Sequence, residues 1–458
     1  MPLESRRPLN RAQLLTGAAF FLLFVLAERL VVYPGSRAVL LLGGGLAAFL
    51  IIARPVIGLA LYLLVYPAVS PAQSLNPLKI FIFALTLIVL LTWLVRKMMM
   101  RERFISKREY MWMYFLFIFL CISPALGYVN GFTPVDWARD IAPLLNLLLV
   151  PVMADYFGWK KNGWLLFLVF APAGLSIARD LLVLSSRYGF PVTGVPVLTS
   201  LPLGSIHPSL SLGLGTIMYL QRAPYRRFWL GLAIAGLAAA LLTPTRTVWI
   251  TTATMALLLV LFNSRRRIWT IASLAAMAAL AGWLVFYGPG SGDYLASQRV
   301  RVSALEHWRH DPSAESRLDE MKQTARLFES SPLIGVGFGY QYFFWRHFWA
   351  ALQGPGYMKT NFTHNDIMFI ASKGGMTGLA LFLMMLLGFA KKLHERRKEE
   401  PGSLRSAWAT FALMALINSI IIGSSTPFYQ DRFEMYIFAV IMAMGLGFRE
   451  GDRGRKVA

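Results

Sequence analysis

The sequence predicts an all-α polytopic membrane protein with 12–14 transmembrane helices and one large extracytoplasmic loop containing helices. Three observations carry that prediction. Apolar residues make up 56% of the 458 residues and charged residues only 15%, against roughly 25% in a soluble domain. The apolar residues gather in stretches of roughly 15–25, the length that spans a bilayer as a helix. The connections between these stretches are alternately basic and nearly uncharged, as topology in a membrane requires. A soluble core of this length cannot absorb so much apolar surface, and a disordered chain is excluded by the same figures.

Fourteen apolar segments follow in order, at about 12–33, 37–53, 56–70, 77–97, 110–128, 136–156, 163–182, 207–221, 227–242, 246–262, 268–287, 365–390, 405–423 and 431–448. The second and third are short enough to be one broken helix or a re-entrant pair. The basic N-terminus (Arg6, Arg7, Arg11) precedes a long apolar run without a small-residue cleavage site. It reads as a retained first helix. Basic connections occur at Arg54, at Arg96–Arg108, at Lys160 and Lys161, at Arg222–Arg227, at Arg265–Arg267, at Lys391–Lys398 and in the tail from Arg449. The alternate connections carry only Arg37 and Arg187, or nothing. Both termini are therefore expected in the cytoplasm. The formal net charge of +22 follows from the same rule and does not imply a nucleic-acid partner. The single cysteine, Cys121, excludes an intramolecular disulfide.

The expected organisation is a transmembrane bundle of about eleven spans over 1–287, a large extracytoplasmic loop over 288–364, and C-terminal helices with a cytoplasmic tail over 365–458. The loop is nearly neutral, with eight Lys+Arg and seven Asp+Glu, and four of the six histidines lie in it or at its end. Loops of such length are usually functional. Within it, Asp311-Pro312-Ser313 opens a helix that runs to about Ser330. Leu318, Met321, Ala325 and Phe328 form one apolar stripe, and Glu315, Asp319, Lys322 and Arg326 a solvated face. Arg317 projects within about 20° of Phe328, beside the apolar stripe. A charge there snorkels, finds a partner or meets an anion.

The helix is followed by Pro332-Leu333-Ile334-Gly335-Val336-Gly337-Phe338-Gly339. Its alternate glycines suit a tight turn, or a nest of N–H groups for an anion. Next, Thr363-His364-Asn365-Asp366 holds three helix-capping residue types. His364 falls at the positive end of the following helix, which favours the neutral imidazole that acts as a base. Lys373 lies two turns after Asp366 on the same face, and Gly374, Gly375 and Gly378 permit close helix packing. Upstream, Arg246 in Thr243-Pro244-Thr245-Arg246-Thr247 sits on the side of the membrane where the charge rule places few cations, so it reads as functional. Arg139-Asp140 and Arg179-Asp180 read as local ion pairs.

Taken together, Ser316-Arg317-Leu318, the run Ser331 to Gly339, Thr363-His364-Asn365-Asp366 and Lys373-Gly374-Gly375-Met376-Thr377-Gly378-Leu379 resemble the O-antigen ligase/polymerase superfamily. Thr245-Arg246 looks like that family's upstream arginine motif. The specific resemblance covers roughly 243–385. It implies a GT-C-like membrane glycosyltransferase in the bacterial inner membrane, with its active site extracytoplasmic. Such an enzyme moves a glycan from an undecaprenyl diphosphate carrier to an acceptor hydroxyl with inversion, needing neither nucleotide nor metal.

The resemblance further implies that Arg246 and Arg317 hold the donor diphosphate and that His364 is the catalytic histidine. Asn365, Asp366, Gly335, Gly337 and Lys373 are supporting positions. Two activities fit, a ligase delivering glycan to a lipid core and a polymerase delivering it to a second lipid-linked glycan. His364 serves either as base or as the group that orients the acceptor. The competing class is a transporter, a lipid-linked glycan flippase. The absence of matching halves and the confinement of catalytic-type residues to one side count against it.

Overall fold

The computed structural model describes residues 55–65, 77–99, 111–157, 207–223, 225–242, 246–263, 267–287, 312–347 and 356–447. The expected segments 12–33, 37–53 and 163–182 lie outside them, as do Arg179, Asp180, His307 and His310. The chain divides into two compact units, Met1–Glu102 and Arg103–Ala458. In the first, α1 (Pro55–Val65) packs on α2 (Pro77–Met99).

The second unit holds α3 (Met111–Val129), α4 (Pro134–Leu148), α5 (Val150–Tyr156), α6 (His207–Leu220), α7 (Arg226–Leu242), α8 (Arg246–Phe262) and α9 (Arg267–Tyr287). Then come α10 (Pro312–Ser330), strands β1 (Tyr342–Arg346) and β2 (Gly356–Thr360), α11 (Asp366–Glu399), α12 (Leu404–Gly423) and α13 (Arg432–Gly447). Three helical stretches are long and apolar enough to cross a membrane: Val135–Tyr156, Asp366–Glu399 and Leu404–Gly423. Shorter apolar helices accompany them. The core is aromatic and methionine-rich, with Trp408, Phe411 and Met414 of α12 against Tyr436, Phe438 and Met442 of α13. Large apolar side chains also point outward, among them Phe117, Leu257, Trp269, Trp283 and Leu387. Such a surface is a liability in water and the normal state in lipid.

The loop helix starts at Pro312 and ends at Ser330, as its capping residues predict. The face it buries is another matter. Leu318 of the apolar stripe is 47% exposed, while Ser316, Glu320 and Thr324 are buried. Of the face read as solvated, Lys322 and Arg326 are exposed, while Asp319 Oδ2 accepts from Trp345 N–H of β1 at 2.7 Å; Ser316 Oγ, outside that face, accepts from His347 N–H at 2.8 Å.

Among the described residues the fold departs from all-α at one place, the antiparallel pair β1–β2, with Tyr342 opposite Thr360 and Trp345 opposite Tyr357. The aromatic run Tyr342-Phe343-Phe344-Trp345 has strong strand propensity, the signal that was available for it. Tyr342, Phe344 and Thr360 face inward, while Phe343, Trp345, Tyr357 and Lys359 face out.

Candidate functional site

The site is assembled around α11, which is broken at Gly375 (φ 63°, ψ −165°). A break frees backbone groups that must find partners, above all within a membrane. The turn after α10 supplies them. Met376 N–H donates to Pro332 O at 2.8 Å and Thr377 N–H to Leu333 O at 3.1 Å. In return Ser372 O accepts from Val336 N–H and Lys373 O from Gly337 N–H, both at 2.9 Å. The backbones meet so closely that a Cβ on Gly335 (φ 73°) would lie 2.4 Å from the Lys373 carbonyl carbon. One on Gly375 would lie 2.4 Å from the Leu333 carbonyl carbon. Only glycine supplies both the positive φ and the clearance.

The anion-nest reading of this turn is therefore corrected. Gly335 N–H donates to Ser331 O, Phe338 N–H to Ser123 O and Gly339 N–H to Asp140 Oδ2. With Val336 and Gly337 committed to α11, these N–H groups already have protein acceptors. The turn is a joint.

Asp140 completes that joint. Its Oδ2 lies 3.0 Å from Lys373 Nζ, with the two side chains 1% and 2% exposed. Its Oδ1 accepts from the Asn361 side-chain amide. Lys373 Nζ also donates to Tyr340 O, at 2.5 Å, and sits over the Phe369 ring. Asp140 thus pairs with Lys373 across the fold, and the expected local pair with Arg139 does not form among the described residues. Proximity in sequence misled here. Neighbouring residues on a helix point about 100° apart, so Asp140 reaches α11 without its neighbour.

The N-terminus of α11 is held separately. Asn365 is the N-cap, its Oδ1 accepting from Met368 N–H at 3.0 Å. The buried Asp366 carboxylate accepts from Tyr429 N–H at 2.9 Å and from the Gln430 side-chain amide at 2.7 Å. Gln430 also brackets Thr363, accepting from its N–H and donating to its carbonyl. This α12–α13 connection touches α8 as well, through Thr426 Oγ1 and Thr247 Oγ1 at 3.4 Å. Arg246, the first residue of α8, thereby belongs to the same end of the unit as His364. Its side chain lies outside the described part of the structure.

His364 stands between α11 and α10. Its Nδ1 is 2.7 Å from Glu320 Oε2, and its backbone N–H donates to Glu320 Oε1. Glu320 is 2% exposed at the side chain and His364 35%. The edge-on Phe362 ring flanks the imidazole. Tyr342 lies beside the carboxylate and donates its hydroxyl to Phe362 O at 2.8 Å. Burial, then the Glu320 charge, raise its pKa above the ordinary phenol value, so it stays protonated.

Arg317, one helical turn before Glu320, is exposed and has no ion-pair partner among the described residues. Glu320, which sequence reasoning missed, thus ties His364 to the helix that carries Arg317. Its partner lies 44 residues away, and no local pattern announces so distant a contact. The available signal was the spacing Ser316, Glu320, Thr324, a polar i, i+4, i+8 ridge.

Residues 211–383 match the family model for O-antigen ligase. No curated protein matches the chain. The matched segment contains Arg246, Arg317, Glu320, His364 and the broken stretch of α11, and over that segment the chain is similar to the O-antigen ligase family.

Proposed function

We propose that the protein is an inverting glycosyltransferase. It moves a glycan from an undecaprenyl diphosphate carrier to an acceptor hydroxyl at the extracytoplasmic face of the bacterial inner membrane, needing neither nucleotide nor metal. The observation that carries this reading is His364, its ring one-third exposed and one ring nitrogen held by the buried Glu320 carboxylate, which is itself one helical turn from Arg317, an arginine without an ion-pair partner among the described residues.

In the reaction the acceptor oxygen attacks the anomeric carbon. Its bond to that carbon forms as the bond from the carbon to the diphosphate oxygen breaks, and the carrier diphosphate leaves with the electron pair. His364 sits where the acceptor proton is handled. Arg317 and Arg246 bind the diphosphate oxygens and offset the charge that develops on them. Guanidinium forks suit that task better than a lysine point charge, and fixed charge of this kind is often the largest catalytic contribution. No pair of catalytic carboxylates is required, since the displacement is direct.

The test uses purified protein in lipid nanodiscs with an undecaprenyl-diphosphate-linked oligosaccharide, a second lipid-linked glycan or a lipid core as acceptor, and no nucleotide. Joined glycan read by mass supports the proposal, and its mass separates polymerase from ligase. Donor binding without joined product from any acceptor overturns it in favour of a transporter.

A further inference from the structure

We infer that Glu320 is a positioning residue that fixes His364 in the tautomer with a proton on Nδ1 and a free lone pair on Nε2. The imidazole is thereby a proton acceptor rather than only an orienting donor. The inference rests on the glycosyl-transfer reading and deepens it, because that reading leaves the role of His364 open.

The geometry makes the case. Glu320 sits on the buried ridge of α10 and presents both oxygens to His364, Oε1 to the backbone N–H and Oε2 to Nδ1 at 2.7 Å. The backbone N–H can only donate, so it holds one carboxylate oxygen as an acceptor and leaves the other facing the ring. An ionised carboxylate only accepts, so the Nδ1 atom it faces must carry the hydrogen. The neutral ring has one hydrogen, so Nε2 has none. The backbone contact fixes where the residue sits and the ring contact fixes how the ring turns. Such a two-point grip holds the orientation that proton transfer needs.

Among the described residues, Tyr342 from β1 lies beside the pair; along α10, Arg317 is one turn from Glu320 and exposed, and Asp319 has its carboxylate turned to Trp345 N–H. Asp366 on α11 is turned away to Gln430 and Tyr429. In the transfer step the acceptor hydroxyl proton passes to Nε2 as the oxygen bonds to the anomeric carbon. Glu320 then faces an imidazolium and stabilises it, and the proton leaves to water after the carrier diphosphate departs. Histidine and a buried carboxylate divide the work in this way in hydrolytic triads.

Glu320→Gln is the discriminating variant. Its side-chain oxygen still accepts from His364 N–H. Its amide nitrogen donates to Nδ1 where the carboxylate accepted, and so forces the hydrogen onto Nε2. In full-length protein in nanodiscs, kcat is expected to fall at least about 100-fold, as for loss of a general base, with donor KM and donor binding unchanged. The acid limb of the rate–pH profile should move to lower pH, because the charge that stabilised the imidazolium has gone. In a His364→Ala background the same substitution should cost nothing further.

A second measurement needs no variant to fold well. Wild-type protein labelled with 15N-histidine, with His364 assigned by difference against His364→Ala, should show a protonated Nδ1 and a bare Nε2 at neutral pH. A protonated Nε2 in the wild type, or full kcat in Glu320→Gln, overturns the inference while leaving the transfer reading intact if His364→Ala is inactive. An active His364→Ala removes the catalytic histidine, and this inference with it.

Discussion

Two acid–base pairs meet α11, and they are built to opposite ends. Asp140–Lys373 is sealed: both side chains are almost wholly buried, and both Asp140 oxygens and the lysine ammonium have protein partners. Glu320–His364 is sealed on the carboxylate side and open on the imidazole side. A buried charge pair is costly to form and more costly to break, so a closed pair belongs to the architecture. A pair whose imidazole stays one-third exposed, its second nitrogen without a partner among the described residues, is the one to which we assign chemistry. The lesson is to ask what remains unpaired, since the presence of a charge pair alone does not mark a site.

Substitutions sharpen that contrast. The largest effect is expected at the open pair. His364→Ala should lower transfer by about 10²–10⁴-fold while leaving thermal unfolding in detergent unchanged. Loss of melting temperature in parallel with activity would mean that this pair, too, is architectural. At the sealed pair the effect reverses: Asp140→Ala should destabilise by about 3–5 kcal/mol, leaving a buried ammonium without its counter-charge. The readout is melting temperature and yield, with activity per folded molecule retained. Next, Gly335→Ala should cost about 1–3 kcal/mol by forcing a Cβ into the Lys373–Gly375 backbone, again without changing the rate–pH profile. The smallest effect is the cap. Asn365→Ala should cost about 1 kcal/mol and Asn365→Ser much less, since serine also caps.

How much of this the sequence foretold depends on the range of each interaction. The limits of α10 and the start of α11 were legible because Pro312 and Asn365 act on their own backbone neighbourhood. The glycines at 374 and 378 announced a close approach, and both lie against the Phe119 ring. His364 stood out by its place at a helix start, and Arg317 by its conflict with the apolar stripe. What failed was long-range or environmental. Glu320 and Asp140 find partners in distant segments. The alternate glycines looked the same whether their N–H groups meet an anion or a neighbouring carbonyl. The polar ridge of α10 is buried because Ser316 and Glu320 meet segments that follow the helix in the chain.

The glycine joint also sets lengths. From the crossing of Gly335 with Gly375, one arm runs back along α10 to Glu320 and the other back along α11 to His364. At 1.5 Å per helical residue, the helical part of the first arm, Glu320 to Ser330, measures about 15 Å and that of the second, Asp366 to Gly375, about 14 Å, and the two close on each other at the tips like calipers. The pivot is rigid because four backbone hydrogen bonds hold it. One residue added to either arm would therefore advance its tip by about 1.5 Å and swing it by about 100°, parting Glu320 from His364. One added between β1 and β2 would change neither arm. The site is a measured gap, and its tolerance to insertion should differ sharply between those two places.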